Sequence, residues 1–119
     1  MKKPATKPPE HEMTIWLVED NEPFRMNIRD LINGTPGLAC VLAVQSCEEA
    51  LEHLATDVPP DVVLMDIGLP GLDGIEGIEK VKSTAPSIQV IMLTVFEDDE
   101  KIFQAICAGA SGYLLKSAP

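Results

Sequence analysis

Asp61-Val62-Val63-Leu64-Met65-Asp66 leads directly into Ile67-Gly68-Leu69-Pro70-Gly71-Leu72-Asp73-Gly74. Four consecutive apolar residues bounded by acids are too short for a helix. Their lack of alternation suits a parallel strand covered on both faces. The reading is a strand over Asp61–Met65 in the middle of a sheet, closed by Asp66, with a glycine- and proline-rich loop behind it. Asp73 is then a plausible N-cap for a helix running to Thr84.

The same alternation extends in both directions. Upstream, Thr14–Val18 is a strand-like run, and Asn21-Glu22-Pro23 offers a helix start with proline in the first turn. Phe24, Ile28, Leu31 and Ile32 mark an amphipathic helix stopped by Gly34. Leu38–Val44 reads as a strand. Ser46-x-x-Glu49 is a capping box that opens a helix with Ala50, Leu51 and Leu54 on its buried stripe. Downstream, Ile88–Leu93 is the fourth strand. The acids Glu97-Asp98-Asp99-Glu100 suit the first turn of a helix burying Ile102, Phe103 and Ile106 and ending at Gly109. Gly112–Leu115 is the fifth strand. Five strands alternating with four helices predict an α/β domain with a doubly wound parallel sheet of order 2-1-3-4-5.

In such a sheet the carboxyl ends of the strands line the ligand crevice. Glu19-Asp20, Asp66, Thr94 and Lys116 all fall at such ends. Taken singly, each has an ordinary reading: a turn acid, a loop cap, a strand threonine, a solvated lysine. Together they converge. Three carboxylates within ~5 Å repel by several kcal/mol per pair at an effective dielectric near 20, so the cluster calls for a cation. All-oxygen ligands suit a hard ion such as Mg²⁺, which binds through one or two carboxylates, phosphate oxygens and water. Thr94 and Lys116 add a donor and a positive charge for phosphoryl oxygens. A central carboxylate can itself be the nucleophile, and Asp66 is the candidate.

Bulk properties set the frame. The chain has 119 residues, 45% of them hydrophobic and 24% charged, which is one ordinary globular domain. Its net charge is −10, and the segment Met1 to Glu12 holds three of the nine basic residues and only two of the nineteen acids. The rest is therefore too acidic to attract nucleic acid electrostatically. Residues 1–12 read as a disordered, proline-rich tail without the apolar run of a leader. No stretch is long enough to span a membrane. Cys40, Cys47 and Cys107, odd in number and without CxxC spacing, suggest reduced thiols and a cytoplasmic location. Each reads as a small core residue.

The motifs resemble the receiver domain of bacterial two-component response regulators. The resemblance covers Met13 to Ser117 and rests on Leu17-Val18-Glu19-Asp20-Asn21, on Met65 to Gly74, on Leu93-Thr94 and on Gly109-Ala110-Ser111-Gly112-Tyr113-Leu114-Leu115-Lys116. The last two motifs are most similar to the NarL/FixJ type, whose receivers usually precede a helix-turn-helix DNA-binding domain. The resemblance implies a flavodoxin-like receiver fold in which Asp66 accepts a phosphoryl group from a sensor histidine kinase. It implies Mg²⁺ held by Asp20 and Asp66, by Glu19 through water and by the Gly68 backbone carbonyl. Lys116 would pair with the phosphoryl oxygens. Thr94 would move toward them and let Tyr113 rotate inward; read without the family, Tyr113 is a core aromatic. Transcription would be regulated through a DNA-binding domain absent from this chain, with homodimerisation on phosphorylation and no direct contact of this chain with nucleic acid or membrane.

Departures from the family pattern are local, apart from one. Ser117 stands where many receivers have proline, Gly68 offers only backbone two residues after Asp66, and Val95 is bulkier than the usual alanine or glycine. The larger departure is that the sequence runs only three residues past Lys116, short of the fifth helix of a receiver. Residues 13–119 therefore read as a receiver truncated before that helix. Some ~500 Å² of apolar surface left bare would forfeit on the order of 12 kcal/mol, an upper estimate. The expectation is a fragment of a longer regulator, an ordered piece of one, or a face covered by a partner.

Two other readings remain beside the switch. One is a receiver-like interaction module that is never phosphorylated. The other is a haloacid-dehalogenase-like phosphatase, which wants a second acid two residues after the nucleophile, where Gly68 stands. A nucleotide-binding Rossmann-type site lacks its phosphate loop, since Glu19–Pro23 contains no glycine.

Overall fold

The computed structural model describes residues 12–68, 74–94 and 99–116. The elements run β1 (Met13–Val18), α1 (Glu22–Asn33), β2 (Leu38–Val44), α2 (Cys47–Thr56), β3 (Val62–Asp66), α3 (Gly74–Thr84), β4 (Gln89–Thr94), α4 (Asp99–Ala108) and β5 (Gly112–Leu115). All pairings are parallel, and the strand order is 2-1-3-4-5, as the alternation predicts. β3 is central, and all five of its residues are buried.

Strand boundaries differ from the sequence reading by one residue. Asp61 lies outside β3, because it locks two strand starts together. Its carboxylate accepts from Thr14 N at 2.9 Å, and its own N–H lies 3.0 Å from both Thr14 Oγ1 and Thr14 O. At the other end Asp66 and Thr94 are the last residues of their strands, so their side chains are set by sheet geometry rather than by loops. Register slips between Ile15 and Trp16, leaving Val41 of β2 as the extra residue of a bulge on an edge strand.

Two apolar layers sandwich the sheet. On one face Trp16, Val18, Val63, Met65, Val90 and Met92 pack against α2, α3 and α4. α3 comes close because Gly77 has no side chain: a Cβ there would lie 2.5 Å from Cys47 Sγ. On the other face Ile15, Leu17, Val62, Leu64 and Leu93 meet Phe24, Ile28 and Ile32 of α1. Among the described residues α1 alone covers this face. Ile91 is only half-buried there, and Leu114 of β5 is 50% exposed.

Several expected core positions are surface positions. On α1 the buried stripe is Phe24, Ile28 and Ile32 at i, i+4, i+8, and Leu31 at its edge is 67% exposed. On α4 the packed line is Ile102, Ala105 and Ala108, and its two small alanines let the helix lie close to α3. Phe103 and Ile106 lie off that line and are exposed. Of the cysteines, only Cys47 is buried; Cys40 is half-buried and Cys107 is exposed. Tyr113 is exposed rather than a core aromatic. The expected Asp73 cap, the acids Glu97 and Asp98, and the proposed tail up to His11 lie outside the described residues.

Candidate functional site at the strand carboxyl ends

The site is built from four strand ends and one helix start. Glu19 follows β1, and its N–H continues the ladder to Val44 O at 3.0 Å. The chain then turns into α1, where Asn21 Oδ1 caps Phe24 N at 2.9 Å and Pro23 sits in the first turn. Arg25, on that turn, donates from Nη1 to Glu19 O at 2.8 Å. The helix start is thus tied to the strand end on both sides.

Asp66 ends β3 and is 5% exposed; Thr94 ends β4 and is 3% exposed. The strands stay in register to their tips, with Asp66 opposite Leu93 and Ile67 N donating to Leu93 O at 3.2 Å. Beyond β5, Lys116 N donates to Thr94 O at 2.7 Å, which fixes where the lysine stem begins.

The side chains meet in one place. Lys116 Nζ lies 2.8 Å from Glu19 Oε1 and 3.0 Å from Asp66 Oδ2. The other oxygen of Asp66 accepts from Gly68 N at 2.9 Å, and Glu19 Oε2 accepts from Asn21 N at 3.0 Å. The ring of Phe24 stands beside the ammonium, 5.2 Å from its centroid. Asp20 is exposed at the rim. Oxygens of Glu19, Asp20 and Asp66 all lie within 4.8 Å of one another.

Charge balance makes this cluster a candidate cation site. Glu19 is fully buried, and its Oε1 touches the lysine off the line of a hydrogen bond, so that oxygen keeps unused acceptor capacity. Burial pushes the Glu19 carboxyl above its usual 4.5, outweighing the nearby Lys116 ammonium and the hydrogen bond from Asn21 N, and the charge of Asp66 adds to the rise. Burial works against the Lys116 ammonium, but the Glu19 and Asp66 carboxylates in contact with it hold it above 10.5. Three carboxylates and one ammonium leave two formal negative charges, which one divalent ion would match. The donor set is all oxygen, so the residues fit Mg²⁺ rather than a soft metal.

Every sequence-predicted site residue except Tyr113 borders this crevice. Tyr113 pairs with Met92, one position back from Leu114, and is exposed to solvent. Phe24 and Arg25 were not anticipated: the helical pattern marks Phe24 only as part of an apolar stripe, and nothing in the order of residues links Arg25 to a carbonyl six positions earlier.

A doubly wound sheet with an acidic crevice and a lysine at its carboxyl edge defines the class, and the comparisons agree. The model of the response regulator receiver domain matches residues 15–119, so the chain belongs to that family. It is 38% identical over 102 residues to the transcriptional regulatory protein LnrK of Bacillus subtilis, covering 86% of this chain and 46% of that protein. It is 36% identical over 102 residues to the transcriptional activator DevR/DosR of Mycobacterium tuberculosis, with the same coverage. The chain therefore spans about half the length of the curated relatives it matches. Among solved structures it is similar to a LuxR-family two-component response regulator from Aurantimonas, with a TM-score of 0.81 and 34% identity over 89% of this chain and 75% of that one. The receiver domain of a NarL regulator from Mycobacterium tuberculosis gives a TM-score of 0.81 and 26% identity over 92% of this chain and 87% of that one. No described helix is long and apolar enough to cross a membrane.

Proposed function

We propose that the chain is a phosphorylatable switch in which Asp66 receives a phosphoryl group from the phosphohistidine of a sensor histidine kinase. The observation that carries this reading is the Lys116 ammonium between Glu19 and Asp66, joining the ends of β1, β3 and β5. A half-buried lysine on two buried carboxylates leaves one acid central, nucleophilic and faced by a positive charge.

Asp66 would attack phosphorus, forming a carboxyl–phosphate bond while the nitrogen–phosphorus bond breaks and the imidazole keeps the electron pair. Lys116 would neutralise the incoming oxygens. Thr94, buried at the next strand end, would offer its hydroxyl to one of them, and Tyr113 would leave solvent as Thr94 moves. Glu19, Asp20, Asp66 and the Gly68 carbonyl would hold Mg²⁺, which supplies charge neutralisation for the transferring group. Catalysis here is positioning and electrostatics, so the chain assists its own phosphorylation without being an enzyme on a separate substrate.

The proposal extends to a cytoplasmic setting, homodimerisation on phosphorylation and a C-terminal DNA-binding output beyond this chain, the last supported by similarity to a DNA-binding transcriptional activator. Intact mass after incubation with acetyl phosphate and Mg²⁺ tests the core. The wild type should gain one phosphoryl group and Asp66→Ala none. A folded, Mg²⁺-binding protein that gains nothing would favour the unphosphorylated interaction module instead.

A further inference from the structure

The Lys116 ammonium has three N–H groups, and its two carboxylate contacts account for two directions. On another side stands the ring of Phe24, 5.2 Å away, within the range at which a ring face attracts a cation. The ring offers no lone pair, so it displaces water from the ammonium without competing for a hydrogen bond. It is also held in place from several sides. Phe24 N is fastened by Asn21 Oδ1, its neighbour Arg25 is fastened to Glu19 O, and the side chain packs against the apolar layer beneath α1.

We propose that Phe24 is a positioning residue for Lys116, its ring holding the ammonium against the Glu19–Asp66 pair. This rests on the reading of the crevice given above and adds to it a residue outside the acid, threonine and lysine set. Two consequences run in opposite directions. The ring keeps the ammonium where an incoming phosphoryl group needs it, so it favours phosphorylation. The ring also keeps the ammonium on Glu19 Oε1, one of the oxygens a divalent ion would claim, so it opposes Mg²⁺ binding.

The test uses the 119-residue chain with Phe24→Leu, which keeps apolar bulk without a ring face, and Phe24→Trp, which keeps the face. Two readouts are taken: the dissociation constant of Mg²⁺ alone by calorimetry, and the initial rate of phosphorylation by acetyl phosphate at saturating Mg²⁺. Phe24→Leu should bind Mg²⁺ about two- to five-fold more tightly and be phosphorylated about two- to five-fold more slowly, with Phe24→Trp returning both toward wild type. General loosening of α1 would not move the two quantities in opposite directions. The proposal is overturned if Mg²⁺ affinity is unchanged in Phe24→Leu, or if leucine and tryptophan variants shift alike and in step with their melting temperatures. Phe24→Met serves should the leucine variant not fold. If the wild type is never phosphorylated, the phosphoacceptor reading fails, while the Mg²⁺ titrations still decide on Phe24.

Discussion

Lys116 and Glu19, 97 positions apart in the chain, lie 2.8 Å apart at Nζ and Oε1, one at the end of β5 and the other at the end of β1. The contact crosses β3 and β4 and brings the ends of the sheet's outer and inner strands to one carboxylate pair. It also sets the electrostatic state of the crevice in the absence of a divalent ion: one ammonium serves two buried acids, and one oxygen of Glu19 is left without a hydrogen bond.

Glu19→Gln should raise the melting temperature in the presence of a chelator near neutral pH. Burial holds the folded carboxyl above its usual 4.5, so the folded state disfavours the charged form. Above both folded and unfolded values that cost is present in full. It shrinks as pH falls through the folded value, where wild-type Glu19 takes up its proton. The gain of Glu19→Gln should therefore fade under acid conditions. Thermal denaturation at a series of pH values checks the sign, and Mg²⁺ should narrow the gap by stabilising the wild type more.

Lys116→Met should be less stable than wild type by about 1–3 kcal/mol in chelator, because it strips two buried carboxylates of their counter-charge. In the wild type the folded lysine is held above 10.5, so its stabilising contribution is complete below that value and is lost as pH rises through the folded value. Denaturant melts from neutral to strongly alkaline pH should show wild type and variant converging at the alkaline end. Equal alkaline sensitivity in both proteins would deny Lys116 this role.

Two glycines near Asp66 should behave in opposite ways. A Cβ on Gly74 would lie 2.4 Å from Ile67 Cα and 2.6 Å from Asp66 O, both backbone atoms that cannot step aside alone. Gly74→Ala should cost about 1–3 kcal/mol and disturb the position of Asp66. A Cβ on Gly68 would meet only Asp66 Oδ1 at 3.6 Å, an ordinary contact, so Gly68→Ala should fold with near wild-type stability. Chemical denaturation of the two variants compares them directly.

Gly77 and Cys47 should couple. Gly77→Ala drives a methyl to 2.5 Å from Cys47 Sγ, where α2, α3 and Met65 already meet and the sulfur lies 3.3 Å from Met65 Sδ. Cys47→Ala alone removes a buried sulfur and costs stability, but it also opens the space that the new methyl needs. The double variant should be more stable than the sum of the single effects predicts, by roughly 0.5–3 kcal/mol. Strict additivity would mean that the helix, not the sulfur, gives way.

The sheet and its crevice were legible because their signals are local. An unbroken apolar run, a cap, or an acid at a strand end can each be read within a few residues, and parallel topology then brings the ends together without further information. Helix faces were legible only in part. Leu31, Phe103 and Ile106 satisfy a helical period, yet which side of a helix meets the sheet depends on the crossing, and at α4 small Ala105 and Ala108 take the contact. Beyond such caps, contacts made by backbone atoms were not legible. Nothing in the order of residues tells that Arg25 holds the Glu19 carbonyl, or that Glu49 reaches one residue past the capping serine to Gln45 N at 3.1 Å. Phe24 was visible as an apolar residue, but its place beside Lys116 depends on where β5 delivers the lysine stem.

Borohydride reduction after treatment with acetyl phosphate and Mg²⁺, followed by peptide mapping, tests most directly whether Asp66 is the acceptor. Reduction converts an aspartyl phosphate to homoserine and leaves free carboxylates intact, so it marks the residue rather than the protein. Homoserine should appear at position 66 and nowhere else, and should be absent without acetyl phosphate. Homoserine at Glu19-Asp20 or elsewhere, or none in a folded protein that binds Mg²⁺, would contradict the assignment of Asp66.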